Sequence, residues 1–455
     1  MTVAQRHDMS GGAQVLCIGD LHSGRRPTRI DGDMLAGSAL TAADLTPTAA
    51  WLQLVDVAIE RDVDAVVLLG DVVDARNDLF ESAGPIERGV RALAARGIPV
   101  YAIVGNHDVR TLPRIADGIE GFELIGRQGV WEDRLIGRPG RAQVRLLGWS
   151  FPNEQVRSSP LVSMPPELRA GAWSNPASVA TLGLLHADLD VLESRHAPVR
   201  RAELEAVPVD AWLLGHIHVP HAMDELGGTR PIGYLGSVVP LDPKESGWRG
   251  AWIAHCLPGQ VRLERVAVSR HRYETVELDI GSLAGPEQLS AGLLAATRAR
   301  HAAIASELTN ENLVIARLRL TGAHLEHAAV LAELSEGGGI GDARLPIDGV
   351  MWAFEPRVHD ASRPALDVAA LAARGDLASP IAQQLSDSAL IDPARLEALR
   401  AHLRATVLAR PSFRDLDDNE SALDDTSLEQ LLRDGATRAL HVVEAHRRRV
   451  DGVTS

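Results

Sequence analysis

Aspartate, histidine and asparagine recur in five short clusters, each standing directly after an apolar run. They are Gly-Asp-Leu-His with Asp20 and His22, Gly-Asp-Val-Val-Asp with Asp71 and Asp74, and Gly-Asn-His-Asp with Asn106, His107 and Asp108. Leu-Leu-His with His186 and Gly-His-Ile-His with His216 and His218 complete the set. Nitrogen and oxygen donors without a thiolate suit Mn²⁺, Fe²⁺, Zn²⁺ or Ni²⁺. So many donors exceed the needs of one ion with an open position and match the needs of two. Two ions about 3.5–4 Å apart can share a carboxylate and clamp a phosphoryl group for in-line attack. Taken singly, the clusters have plainer readings: Gly-Asp after a strand makes a turn, and a lone histidine is commonly a hydrogen-bonded interior residue. Turn formation gives no reason for all five to occur together, each at its own strand end. His216 and His218 stand two residues apart, and in an extended segment they would face the same way.

The elements that must carry these clusters are short and apolar. Residues 13–20, 63–71 and 98–108 are continuous apolar runs ending in the first three clusters, and 143–149, 179–188, 209–218 and 250–256 read as further strands. Helical segments alternate with them. Thr46 is expected to cap a helix with Pro47 at its first position and Leu52, Val55 and Ile59 on one face. A second helix runs from Pro85 and is closed by Gly97. Alternation of this kind predicts an α/β core with its sheets covered on both faces. In such sheets functional groups gather at the carboxyl ends of the strands.

Beyond about residue 272 the texture changes. Residues 273–280 and 311–322 alternate at period two, the second with Arg317 and Arg319 on one face and Val314, Ala316, Leu318 and Leu320 on the other. Helical stretches follow each, from Pro286 and over about 324–335, so that 273–355 reads as a small β-α-β-α domain. Residues 356–455 read as mainly helical. One helix opens at Pro393 with Leu396, Leu399 and Leu403 on a face, and another opens on the capping box Thr426-Ser-Leu-Glu429. The acidic stretch 414–429 between them reads as a solvated linker.

The chain has 455 residues, of which 45% are hydrophobic and 24% charged, a normal composition for two or three globular domains. No apolar run approaches the roughly 20 residues of a membrane span, and residues 1–13, expected to be a flexible tail, lack the pattern of a signal peptide. Two cysteines, Cys17 and Cys256, exclude a disulfide framework. A cytoplasmic location is therefore expected. The formal net charge of −15 argues against a uniformly basic nucleic-acid-binding surface, while leaving room for local patches and bound cations.

The ordered series Asp-x-His, Gly-Asp-x-x-Asp, Gly-Asn-His-Asp, a lone His and Gly-His-x-His resembles the signature of the calcineurin-like metallophosphoesterases. In detail it is most similar to the SbcD-type DNA-repair exonucleases of the bacterial branch. Residues 186–218 and 231–255 resemble that family's last metal motifs and its Tyr-Pro-Gly-Ser turn, although Leu235 stands where the proline is usual. The resemblance implies a β-sandwich core flanked by helices over 14–272, a small α+β capping domain over 273–355, and a helical C-terminal region of possible docking function. It implies one metal ion on Asp20, His22, Asp71 and His218 and a second on Asp71, Asn106, His186 and His216, most simply Mn²⁺. His107 would approach the scissile phosphate as the catalytic acid, with Asp108 orienting its ring and Asp74 supporting the ligands from behind.

The implied function is a two-metal DNA nuclease working with an SbcC-type, SMC-like ABC ATPase, and self-association into a homodimer is a further partner reading. Two other functions stay open: a phosphatase or small-molecule phosphodiesterase of the same superfamily, and a structural subunit with a vestigial metal site. Gly-Asp-Val-Val-Asp-Ala-Arg and Gly-Asn-His-Asp depart from the protein-phosphatase versions of these motifs.

Overall fold

A computed structural model describes residues 12–451 except 31, 74–78, 174–177, 192, 222–229, 337–339, 387–392, 404 and 407–424. Most of the expected N-terminal tail, Asp74 and residues 414–424 of the acidic 414–429 stretch lie outside the described residues. Two sheets form the core. The first contains β1 (Ala13–Ile18), β2 (Ala65–Leu69), β3 (Val100–Ile103) and β4 (Phe122–Leu124). The second contains β5 (Glu132–Ile136), β6 (Val144–Gly148), β7 (Ala180–His186), β8 (Ala211–Gly215) and β9 (Ile232–Tyr234). The hairpin β10 (Ala251–Leu257) and β11 (Gln260–Val266) returns to the first sheet, whose order is β11-β10-β1-β2-β3-β4; the second runs β5-β6-β7-β8-β9. β1 to β4 pair in parallel, as do β6 to β9, while the β10, β11 and β5 edges are antiparallel.

The strands that meet other elements on both faces are apolar throughout: β2, β3, β6, β7 and β8 have no exposed residue. Val15, Cys17, Val67, Leu69 and Ile103 of the first sheet pack against Leu146, Leu182, Leu184 and Leu213 of the second, which makes a β-sandwich. The alternate residues Leu16, Ile18, Val66 and Leu68 pack outward against α1 (Pro47–Glu60) and α2 (Leu79–Ala94). The outer face of the second sheet is covered by loops and the short helix Arg201–Glu205 around Trp131, Trp149 and Trp212. The fold is thus a helix-flanked β-sandwich of mixed α/β class.

Thr46 caps α1 through a 3.2 Å bond from the Ala49 N–H, with Pro47 in the first turn. The buried stripe of α1 differs from the expected one: Trp51, Leu54 and Ala58 are buried beside Val55, whereas Leu52 and Ile59 lie at its margin. Trp51 decides this, because its indole N–H reaches the Pro85 carbonyl at 2.9 Å. α2 begins before Pro85, at Leu79, and Gly97 closes the turn after it at φ 68°. Cys17 and Cys256 are buried free thiols.

The chain divides into two compact units, one of residues 1–278, 290–320 and 334–360, the other of 279–289, 321–333 and 361–455. The first unit holds the sandwich and most of a further sheet built from His271–Asp279, Leu313–Thr321, Val350–Phe354 and Arg344–Ile347. In it Val314, Ala316, Leu318 and Leu320 are all buried. The second unit is mainly helical and has a small core around Leu371, Ala378, Ala382 and Leu440. Among the described residues no helix is long and apolar enough to cross a membrane.

Candidate metal centre

The carboxyl ends of parallel strands from both sheets bring the five clusters together. Asp20 follows β1, Asp71 follows β2 and Asn106 follows β3, while His186 ends β7 and His216 follows β8. The turns after β1 and β2 are zipped to each other, the His22 N–H donating to the Asp71 carbonyl at 2.8 Å and the Ser23 N–H to the Val72 carbonyl at 2.9 Å. The two sheets are joined at the site by the His216 N–H, which donates to Asp20 Oδ1 at 2.8 Å. His22, Asp71 and His216 have positive φ (47°, 48° and 101°), a conformation disfavoured for side chains of this kind and held here by those bonds. Gly105 allows the closest approach, since a Cβ there would lie 2.2 Å from Asp71 Oδ1.

Two groups of donor atoms result. Asp20, His22 and His218 form one, and Asp20, Asp71 and His186 the other, each with its donor atoms within 4.8 Å of one another. Asn106 Oδ1 stands 3.0 Å from His186 Nε2 and thereby joins the second group. His216 is placed otherwise than its motif neighbour. Its backbone has left the extended conformation, so the expectation that His216 and His218 face the same way fails. His218 points at His22, with the two Nε2 atoms 3.0 Å apart. His216 lies beside His186, with ring centroids 5.1 Å apart, and sends Nε2 toward Asp188 Oδ1 at 3.3 Å.

His107 is half-buried; its N–H donates to Asp71 Oδ1 at 3.0 Å and its ring stands 5.7 Å from that of His22. Asp108 does not orient that ring. Both its oxygens are taken by backbone N–H groups, Gly105 at 2.7 Å and Val72 at 2.7 Å, so it ties the third cluster to the second. Burial, with Asp71 close by, pushes the Asp108 carboxyl well above the usual range.

The hydrogen-bond inventory of the site fits cations. His186 Nδ1 lies 3.0 Å from the Leu69 carbonyl, an acceptor only, so that nitrogen carries the proton. The Nε2 lone pair of the neutral ring then faces Asn106 Oδ1 and, at 3.4 Å, Asp71 Oδ2. A proton or a cation must stand among these acceptors. The same crowding governs protonation: burial opposes it, yet the Asp71 and Asp20 carboxylates push His186 up to about 9. Asp71 is held below the ordinary carboxylate range, burial being outweighed by His186 and His22. In the neighbouring group the Asp20 carboxyl is raised, by burial above all, and Asp20 Oδ2 is buried without a hydrogen-bond partner. Burial likewise drives His22 well below its usual value. Buried oxygen and imidazole donors crowded so closely that a proton or a cation must stand among them suit a divalent ion of borderline hardness.

Residues 13–220 match the family described as Calcineurin-like phosphoesterase. The chain carries a calcineurin-like metallophosphoesterase domain. An uncharacterized metallophosphoesterase, YhaO, from Bacillus subtilis is 26% identical over 233 residues, covering 50% of this chain and 54% of its own. The DNA double-strand break repair protein Mre11 of Aeropyrum pernix is 27% identical over 278 residues, or 59% of this chain and 64% of its own. Mre11 of Haloferax volcanii is 27% identical over 303 residues, or 64% and 63%. The chain thus spans less than two thirds of the length of each of these curated relatives.

Three residues beside the phosphoesterase donors were not singled out by spacing. Asp188 faces His216, while His196 stacks against it with centroids 4.7 Å apart, and these three form a further group of donor atoms. Glu245 receives His218 Nδ1 at 2.7 Å. Asp188 lies two residues past His186 and was open to detection on that ground; Glu245 is 27 residues from its partner and carried no signal.

Proposed function

We propose that this chain is a two-metal phosphodiesterase that hydrolyses DNA, with Mn²⁺ as the working ion and an SMC-like ABC ATPase as its partner. One observation carries the reading: oxygen and imidazole donors from five strand ends of two sheets converge on adjoining positions, with Asp71 near both His22 and His186. The similarity to Mre11 proteins supports DNA as the substrate, and the resemblance of the motifs to SbcD-type nucleases supports the ATPase.

In this reading Asp20, His22, Asp71 and His218 hold one ion and Asp71, Asn106, His186 and His216 the other. Bound ions would supply charge neutralisation at the phosphoryl group and lower the pKa of an attacking water. The protein's own contribution is geometric. The carboxylate of Asp71 is fixed by the His107 N–H and its backbone carbonyl by the His22 N–H, which limits reorganisation during reaction. In this reading His107, whose ring lies beside that of His22 and is half-exposed, meets the phosphate and donates a proton to the departing oxygen.

Turnover of linear duplex DNA, a cyclic nucleotide and a phosphoprotein should be compared in Mn²⁺. Cleavage of DNA well above the other two is expected. Preferential hydrolysis of either small diester or phosphoprotein would replace the nuclease by another phosphoesterase of this superfamily. His107→Ala should lower kcat by about 10²–10⁴-fold while Mn²⁺ binding persists; full activity in that variant would remove His107 from the chemistry.

A further inference from the structure

His218 has its main chain and its ring fixed by different parts of the same segment. Its carbonyl accepts the Ser237 N–H at 2.9 Å, which sets the backbone. The ring is left to rotate about its own bond to Cβ, and a contact at each end sets it: Nδ1 lies 2.7 Å from Glu245 Oε1 and Nε2 lies 3.0 Å from His22 Nε2. Glu245 is itself built in. Its second oxygen accepts the Leu241 N–H at 2.7 Å, its own N–H donates to the Asp242 carbonyl at 2.8 Å, and its side chain is only 12% exposed. A carboxylate accepts only, so His218 must carry a proton on Nδ1, and in its neutral form it presents the bare Nε2 toward Asp20 and His22.

We propose that Glu245 is the positioning residue of the His218 side of the centre: it fixes both the rotation and the tautomer of the ring, so that one ion's site depends on a carboxylate lying outside every metal motif. This rests on the two-ion reading of the site and deepens it. An imidazole that ligates through one nitrogen commonly donates from the other to a carboxylate, which orients the ring and raises its basicity. The Arg249 guanidinium, 1% exposed and with no hydrogen-bond partner for Nε and Nη2, adds a favourable positive charge to the surroundings of Glu245. Burial works against an ionised Glu245, but His218, the Leu241 N–H and Arg249 together hold it below its ordinary value.

Glutamine at 245 tests this with almost no change of shape. The two oxygens of Glu245 each meet an N–H, whereas an amide offers one acceptor and one donor group. Either the Leu241 N–H loses its acceptor, or the amide faces His218 and forces the tautomer that points a proton at Asp20 and His22. With Mn²⁺ alone as the probe on the full chain, Glu245→Gln should weaken one of two binding events by about 10–100-fold and leave the other unchanged. Unchanged binding, or equal loss of both ions with a lower melting temperature, would overturn the proposal. In a His218→Ala background the glutamine should cost nothing further, because Glu245 acts through His218; an additional loss there would also overturn it. Nitrogen chemical shifts of labelled histidine in the metal-free protein give a readout independent of the ions. His218 should be protonated on Nδ1 in the natural chain and lose that preference in Glu245→Ala, which offers no acceptor; the same shifts in both would end the claim. A natural chain that binds no Mn²⁺ but shows this tautomer change would refute the two-ion reading and leave Glu245 as the residue that sets the ring.

Discussion

His216 and His218 belong to one four-residue motif, and the structure treats them differently. On the His218 side the Glu245 carboxylate holds the ring at 2.7 Å, with the His218 and Glu245 side chains 21% and 12% exposed and the neighbours Asp20 and His22 almost wholly buried. On the His216 side Asp188 stands at 3.3 Å, the side chains of His216 and Asp188 are 15% and 13% exposed, and that of His196 is 34% exposed. At similar exposure, the longer contact means weaker electrostatic coupling. The His218 flank is therefore the more tightly fixed of the two. Adjacent positions in a motif do not imply equal rigidity, because each ring takes its outer partner from a different part of the fold.

The comparison is broken most severely at the residue both sides share. Asp71→Asn keeps the shape but removes the charge that faces both His22 and His186. Its kcat is expected to fall by about 10³-fold or more, about 4 kcal/mol of transition-state stabilisation, with weakened binding of both ions by metal analysis. Retention of one ion at natural affinity would show that Asp71 serves a single flank.

Acid should strike the fixed flank. His271 Nε2 donates to the Pro240 carbonyl (3.0 Å), just ahead of the segment that carries Glu245, and burial lowers its pKa from 6.5 to about 4. The unfolded chain takes up this proton near pH 6.5 and the folded chain only near 4, so stability is intact above 6.5 and is lost as pH falls between those values. The loss amounts to about 3 kcal/mol. Denaturant melts of the natural chain and His271→Gln at pH 7 and 4.5 should show a smaller pH effect in the variant; equal effects would mean that His271 is not held neutral.

The two motif histidines can then be separated directly. His218→Ala and His216→Ala should each lose a different ion, which competition between Mn²⁺ and a spectroscopically distinct divalent ion would reveal. If both lost the same ion, the flanks would be one site. The smallest effect is expected at Asp188. Asp188→Asn should weaken Mn²⁺ binding by about tenfold at most, the low end for an outer partner, and by less than Glu245→Gln does. A larger loss than at Glu245 would invert the ranking of the flanks.

Much of the sandwich was legible because strands covered on both faces must be apolar along their whole length. Residues 13–20, 63–71 and 98–108 announced β1, β2 and β3 and placed a donor at each end. The short or half-exposed strands β4, β5, β9 and β11 carried no such run and were not foreseen. The stripe of α1 was misjudged because apolar residues surround most of that helix, and only the Trp51 contact with Pro85 selects the face. Asp108 looked like a partner for His107 from adjacency alone. Its two oxygens instead answer backbone N–H groups after β2 and β3, and only the fold places those groups there.

By itself the sequence determined which residue types reach the strand ends and in what order, because strand periodicity and turn chemistry are local. It thereby fixed the class of chemistry, oxygen and imidazole donors for divalent ions. Which donors share a position, which nitrogen of each ring faces the site, and what holds the ring from behind were decided only by tertiary structure. Those depend on a positive φ at His216, on the register between two sheets, and on a carboxylate brought back from 27 residues away. Ring orientation is set by through-space hydrogen bonds in a buried site, and no spacing along the chain encodes them.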